Sequence, residues 1–132
     1  MGTIKIDHDQ AFVLAPLVAI AIQCIFTAFV AGGSRRKIFN KEFLKKNFRE
    51  EHKKLTGEEF PAEGYPDNGT GRYSAKLDYA DWWKFNNGQR AHYNFLEQVA
   101  SVAILLVVSG FVYPFAAGCL GWTYFVGRII YT

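Results

Sequence analysis

The chain has 132 residues, half of them hydrophobic and a fifth charged, with a net charge of +3. That length predicts one domain over residues 1–132, and so small and localised a positive excess excludes nucleic acid as a partner. The apolar residues fall in two or three blocks with most of the charge between them, which predicts an all-α integral membrane helical bundle rather than a soluble core.

Residues 1–10 are short, polar and mixed in charge. Gly2 does not signal myristoylation, because position 6 is Ile where Ser or Thr is needed. Ala11 to Val30 are twenty residues without a charge, enough to cross about 30 Å of hydrocarbon as a helix. The leader is not basic and the block exceeds an ordinary signal h-region, so a span over about 11–31 is the reading. Pro16 is expected near the first turn, where a helix tolerates it. Gln23, the one strongly polar side chain in the block, is expected to bond to a neighbouring helix. Gly32-Gly33-Ser34 is expected to end the helix.

A basic and Gly/Pro-rich loop follows over residues 34–78. Nine Lys/Arg and three Glu lie between Ser34 and Lys54, which predicts that this side faces the cytoplasm or an equivalent compartment, in contact with anionic head groups. Arg35 and Arg36 sit at the membrane edge, within reach of a polar pocket between helices. Ile38 to Leu55 reads as a surface helix without a single clean apolar face. From Thr56 to Asp78 the chain is loop, broken by Pro61, Gly64, Pro66, Gly69 and Gly71. Asn68-Gly-Thr70 is a glycosylation sequon, expected to stay unmodified on the cytosolic side.

Asp78 or Asp81 can cap the next helix. It is predicted over about 81–112, with Tyr79, Trp82, Trp83 and Phe85 at the head-group boundary and Asn87-Gly88 as a weak point. Tyr113-Pro114 ends it, and a third span runs over about 115–132. There Ala117 and Gly121 form a small-xxx-small pair suited to close helix approach. Cys24 and Cys119 are expected as buried free thiols, because neither belongs to a CxxC pair. The three histidines are not spaced as metal ligands, so no metal is expected.

The candidate site opens the second span: Arg90-Ala-His92-Tyr-Asn94-Phe-Leu-Glu97. At 100° per residue Arg90, Asn94 and Glu97 fall within roughly 60° of one another on a helix, with Trp83 and Ser101 extending the stripe and His92 on the other side. Such polar groups are expensive in lipid and need partners. An Arg fork suits a carboxylate, Glu97 an ammonium, and Asn94 either, so a zwitterionic ligand such as a small peptide or amino-acid derivative fits. Pairing of Arg90 and Glu97 through neighbouring helices, holding an oligomer together, fits the same residues.

The run Gln89-Arg90-Ala91-His92-Tyr93-Asn94-Phe95-Leu96-Glu97 resembles the signature of the membrane-associated proteins in eicosanoid and glutathione metabolism, the MAPEG family. Phe85-Asn86-Asn87 looks most like its microsomal glutathione S-transferase 3 branch. Arg35-Arg36 and Gly127-Arg128-Ile-Ile-Tyr131 are similar to the family as well.

The resemblance implies protomers of four transmembrane helices assembled as homotrimers, in the endoplasmic reticulum or alternatively a mitochondrial membrane. Glutathione would serve as co-substrate: Arg90 and Asn94 would hold its carboxylates, Glu97 its γ-glutamyl ammonium, and His92 would lie near the glycyl end. Arg35 or Arg36 would complete the clamp, and Tyr131 would line the cleft. A guanidinium beside the thiol would then favour the thiolate nucleophile.

The resemblance also implies a second tyrosine, an activating arginine and a fourth helix beyond Tyr131. The chain is therefore expected to be incomplete at its C-terminus, or a shortened relative, and its catalytic residues stay unassigned. The implied function is a membrane-bound glutathione transferase or peroxidase acting on lipophilic electrophiles or lipid hydroperoxides. The alternative is a non-catalytic accessory subunit of a larger membrane complex.

Overall fold

The computed structural model describes residues 7–61 and 67–131. Expectations placed on Gly2, Gly64, Pro66 and Thr132 lie outside the described residues. Four helices follow in order: α1 (His8–Ile38), α2 (Lys41–Thr56), α3 (Tyr79–Gly110) and α4 (Pro114–Tyr131), with a 3₁₀ turn at Ser74–Lys76 before α3. No strand occurs among the described residues. Among them, α1 and α3 are long and apolar enough to cross a membrane, and α4 is not one of the two.

Local chemistry explains each boundary. α1 begins three residues before the charge-free block because Asp7 and Gln10 form a capping box. Asp7 Oδ1 accepts from Gln10 N–H at 2.8 Å, and Gln10 Oε1 accepts from Asp7 N–H at 3.4 Å. Pro16 therefore lies inside the helix rather than in its first turn.

The far end of α1 also differs from expectation, for the helix passes through Gly32-Gly33-Ser34 and stops at Ile38. A helical glycine costs only about 1 kcal/mol, and Arg35, Arg36 and Lys37 sit where the helix dipole favours cations. The stop comes instead from Asn40, which is extended and accepts from Phe43 N–H, starting α2. Gly57 closes α2 in a left-handed conformation (φ 76°) with its N–H on the Lys53 carbonyl. α2 does have an apolar face, built on buried Leu44 and Phe48 four residues apart; exposed Leu55 is what blurs the pattern in the sequence.

Of the two candidate caps for α3, Asp78 is the one used, accepting from Asp81 N–H at 2.8 Å. α3 runs through Asn87-Gly88 without interruption. Pro114 is the first residue of α4, where its missing N–H leaves nothing unpaired.

The chain divides into two compact units. Residues 1–28 with 91–132 form one, and residues 29–90 form the other. The first has its core at Ile20, Phe95 and Leu106, with Leu17, Val99 and Phe125 packed around it. Small residues let its helices touch. A Cβ on Gly118 would come within 2.3 Å of the Phe12 ring and 2.9 Å of the Phe12 carbonyl oxygen, the acceptor that Pro16 cannot serve. Gly121 packs on Pro16 in the same way, and Ala117 beside it is buried. Gln23 Nε2 donates to the Phe125 carbonyl on α4 at 3.3 Å, the interhelical bond expected of it.

The second unit is aromatic at its centre: Phe39, Phe48 and Phe85 with Leu44, ringed by Phe43, Phe60 and Tyr73. Phe39 meets Phe85 edge-on at 5.0 Å. Asp67 ties down the turn that precedes α3, accepting from Gly69, Tyr73 and Ser74 N–H at 2.8–3.0 Å and from the Ser74 hydroxyl. Gly69, at φ 104°, passes so close that a Cβ would lie 2.6 Å from Asn86 Oδ1, and its carbonyl accepts from Trp82 Nε1 and Asn86 Nδ2.

Candidate functional site

Three of the predicted site residues lie in the 29–90 unit. Arg35 is half-buried in the last turn of α1, and its Nη2 donates to Gln89 Oε1 at 3.3 Å. Gln89 was not among the predicted site residues, yet it is only 2 % exposed and its Nε2 has no hydrogen-bond partner among the described residues. Arg36 and Arg90 are exposed, with no hydrogen bond or ion pair among the described residues.

The other four lie in the unit of residues 1–28 and 91–132. His92 Nδ1 is 3.0 Å from Thr27 Oγ1, and that hydroxyl donates its one hydrogen to the Cys24 carbonyl at 2.8 Å. With the hydroxyl hydrogen on the Cys24 carbonyl, Thr27 Oγ1 accepts from His92 Nδ1. Asn94 is engaged within the chain: Arg128 Nη1 donates to its Oδ1 at 2.7 Å, while Nη2 donates to the Ala91 carbonyl at 3.0 Å. Glu97 is exposed, with no partner among the described residues. Tyr131 is exposed as well, its ring 5.0 Å from the Arg128 guanidinium carbon.

Arg128 organises this part of the molecule. It is 5 % exposed, although it carries a full charge, and its guanidinium also stands 4.2 Å from the centre of the Phe95 ring. The sequence held a signal for it: Arg128 is the only charged residue in α4, and a lone cation in an apolar helix must find acceptors. Arg128 and Glu97 carry all the formal charge of residues 91–132. The first is buried and bonded and the second is exposed and unpaired, so the region presents opposite charges at different depths.

The MAPEG family model matches residues 13–132. No curated protein matches the chain, and no solved structure does.

Proposed function

The chain belongs to the MAPEG family, a family of membrane helical bundles concerned with glutathione, and from that membership we propose that it binds glutathione as co-substrate and acts as a transferase or peroxidase on lipophilic electrophiles or lipid hydroperoxides. It is an integral membrane protein, and the microsomal glutathione S-transferase 3 branch is the part of the family we take it to resemble. The observation that carries the reading is Glu97: an exposed, unpartnered carboxylate on a helix apolar enough to span a membrane. In lipid such a charge calls for a cationic partner, and the γ-glutamyl ammonium supplies one.

Arg90 plays the complementary part with a free guanidinium fork for a carboxylate. Arg35, Arg36, His92 and Tyr131 are proposed to contribute to the same ligand. Asn94 is proposed to act with Arg128, whose buried cation would favour a thiolate formed beside it. Assembly as a homotrimer, a third span along α4, and an endoplasmic reticulum or mitochondrial location belong to this proposal.

The Asn94–Arg128 bond favours a second reading, in which the polar stripe serves only to hold helices together in a non-catalytic subunit of a larger membrane assembly. Glutathione binding in detergent separates the two. The wild type should bind, and Arg90→Ala should weaken binding roughly tenfold or more, the loss of a charge-assisted pair. Equal binding by both proteins would remove Arg90 from the site; no binding by the wild type would leave the subunit reading.

A further inference from the structure

The 29–90 unit contains an open cleft of about 840 Å³ that none of the seven candidate glutathione residues lines. Its walls come from the end of α1 and the first turns of α2 and α3. Three lysines line it, Lys37, Lys46 and Lys84, all exposed. None of their ammonium groups forms an ion pair or hydrogen bond among the described residues, although Glu42 and Asp81 line the same cleft.

Two features say what such a cleft holds. The first is its electrostatics: three cations outnumber two carboxylates, and the cleft is lined at the N-terminal ends of α2 and α3. The N-termini of α2 and α3 favour anions while the C-terminal end of α1 opposes them, so the lysines decide the sign. The second is its edge. Phe29 and Val30 line it too, and both are largely exposed on α1, a helix apolar enough to lie in a bilayer. An occupant must therefore offer a phosphate-sized anion to the lysines and hydrocarbon to Phe29 and Val30. A soluble phosphate ester meets the first demand alone.

We propose that this cleft binds an anionic phospholipid of the surrounding bilayer, its head-group phosphate among Lys37, Lys46 and Lys84 and its acyl chain along Phe29 and Val30. The site is independent of the glutathione reading and stands or falls separately from it. It is also narrower than general attraction of the basic loop to a charged surface, because three particular lysines carry it.

The test titrates the detergent-solubilised protein with phosphatidylglycerol and with phosphatidylcholine and counts bound lipid by native mass spectrometry. Phosphatidylglycerol should bind at least about tenfold more tightly. Lys37→Ala and Lys84→Ala should each weaken it roughly fivefold, the effect of one lysine at a charged lipid surface. Lys45→Ala and Lys54→Ala, each removing the same single charge outside the cleft, should leave binding unchanged. Equal binding of the two lipids, or an equal loss in these controls, would overturn the proposal. Glycerol phosphate, the head group without chains, should fail to compete at equal concentration. If it does compete, the site is one for free phosphate esters and the lipid assignment is wrong.

Discussion

The two units solve the packing problem in opposite ways. In the unit of residues 1–28 and 91–132, helices meet through glycine and alanine, and polar side chains bond from one helix to the next: Gln23 to Phe125, His92 to Thr27, Arg128 to Asn94. In the 29–90 unit, large aromatic rings fill the centre, and the ion pairs found among the described residues, such as Arg49–Glu59, lie on its surface. The first pattern belongs to helices in lipid, where burial of apolar surface gives no drive and close backbone contact must supply the attraction. The second belongs to a water-facing domain, held by the hydrophobic effect. One short chain thus carries both solvents in its side-chain chemistry.

Breaking each unit at its own kind of contact should show the difference. The largest effect is expected at Gly118. Valine there drives a Cβ into the Phe12 ring and close to backbone, where nothing yields easily. The cost should reach or exceed the upper end of the ~1–3 kcal/mol typical of overpacking, seen as a lower thermal midpoint in detergent with loss of α1–α4 protection against hydrogen exchange. Asp67→Ala attacks the other unit. It removes an acceptor that four donors share, so about 2–3 kcal/mol should be lost. Exchange should then quicken in the loop around residues 67–77 while α4 stays protected. If Asp67→Ala exposed α4 amides as strongly as its own loop, the two units would not be separate in energy.

Much of this architecture could be read from the sequence, for reasons that also say where reading fails. The charge-free block and the apolar run after Glu97 identify α1 and α3 because their composition leaves no alternative. The ends of the helices were harder. The early start of α1 depends on the Asp7–Gln10 box, two ordinary polar residues whose meaning lies in their mutual hydrogen bonds. Its late stop depends on Asn40 rather than on the paired glycines, which tolerate helix when nothing else ends it. Gly88 shows the same thing within α3: a Cβ there would meet nothing within 4 Å, and the helix runs on.

The candidate site divides along similar lines. Helical periodicity suffices to put Arg90, Asn94 and Glu97 on one stripe, since that requires only one continuous element. Partners from other helices were not legible. Arg128 reaches Asn94 across 34 residues, and Arg35 reaches Gln89 across 54. Spacing within one helix cannot predict such pairs. A rule about lone charges in apolar helices would have singled out Arg128 as needing an acceptor, though not which one. Gln89 had no such marker, because an uncharged amide beside an arginine looks like any surface residue until its burial is known.

The smallest expected effect sharpens the contrast from the water-facing side. Glu59 is clasped by Arg49 at 3.0 Å and Lys53 at 3.0 Å, all three on the surface. Hydrogen bonds from Arg49 and Lys53, with the attraction of their charges, lower its pKa from an ordinary 4.5 to about 2. A carboxyl depressed in the folded state contributes stability that is present above its unfolded value and disappears as pH falls through the folded one. The stability it contributes should therefore be complete at pH 5 and above and fall away between about 4.5 and about 2, while the Glu59 side-chain carboxyl resonance titrates with its midpoint near the lower value. Because the group is exposed, added salt should weaken the clasp at every pH and raise the midpoint toward the ordinary value. The Asn94–Arg128 bond, shielded from solvent on the arginine side, should not respond to the same salt. A common salt dependence would mean that water reaches both, and the division of the chain between two solvents would have to be given up.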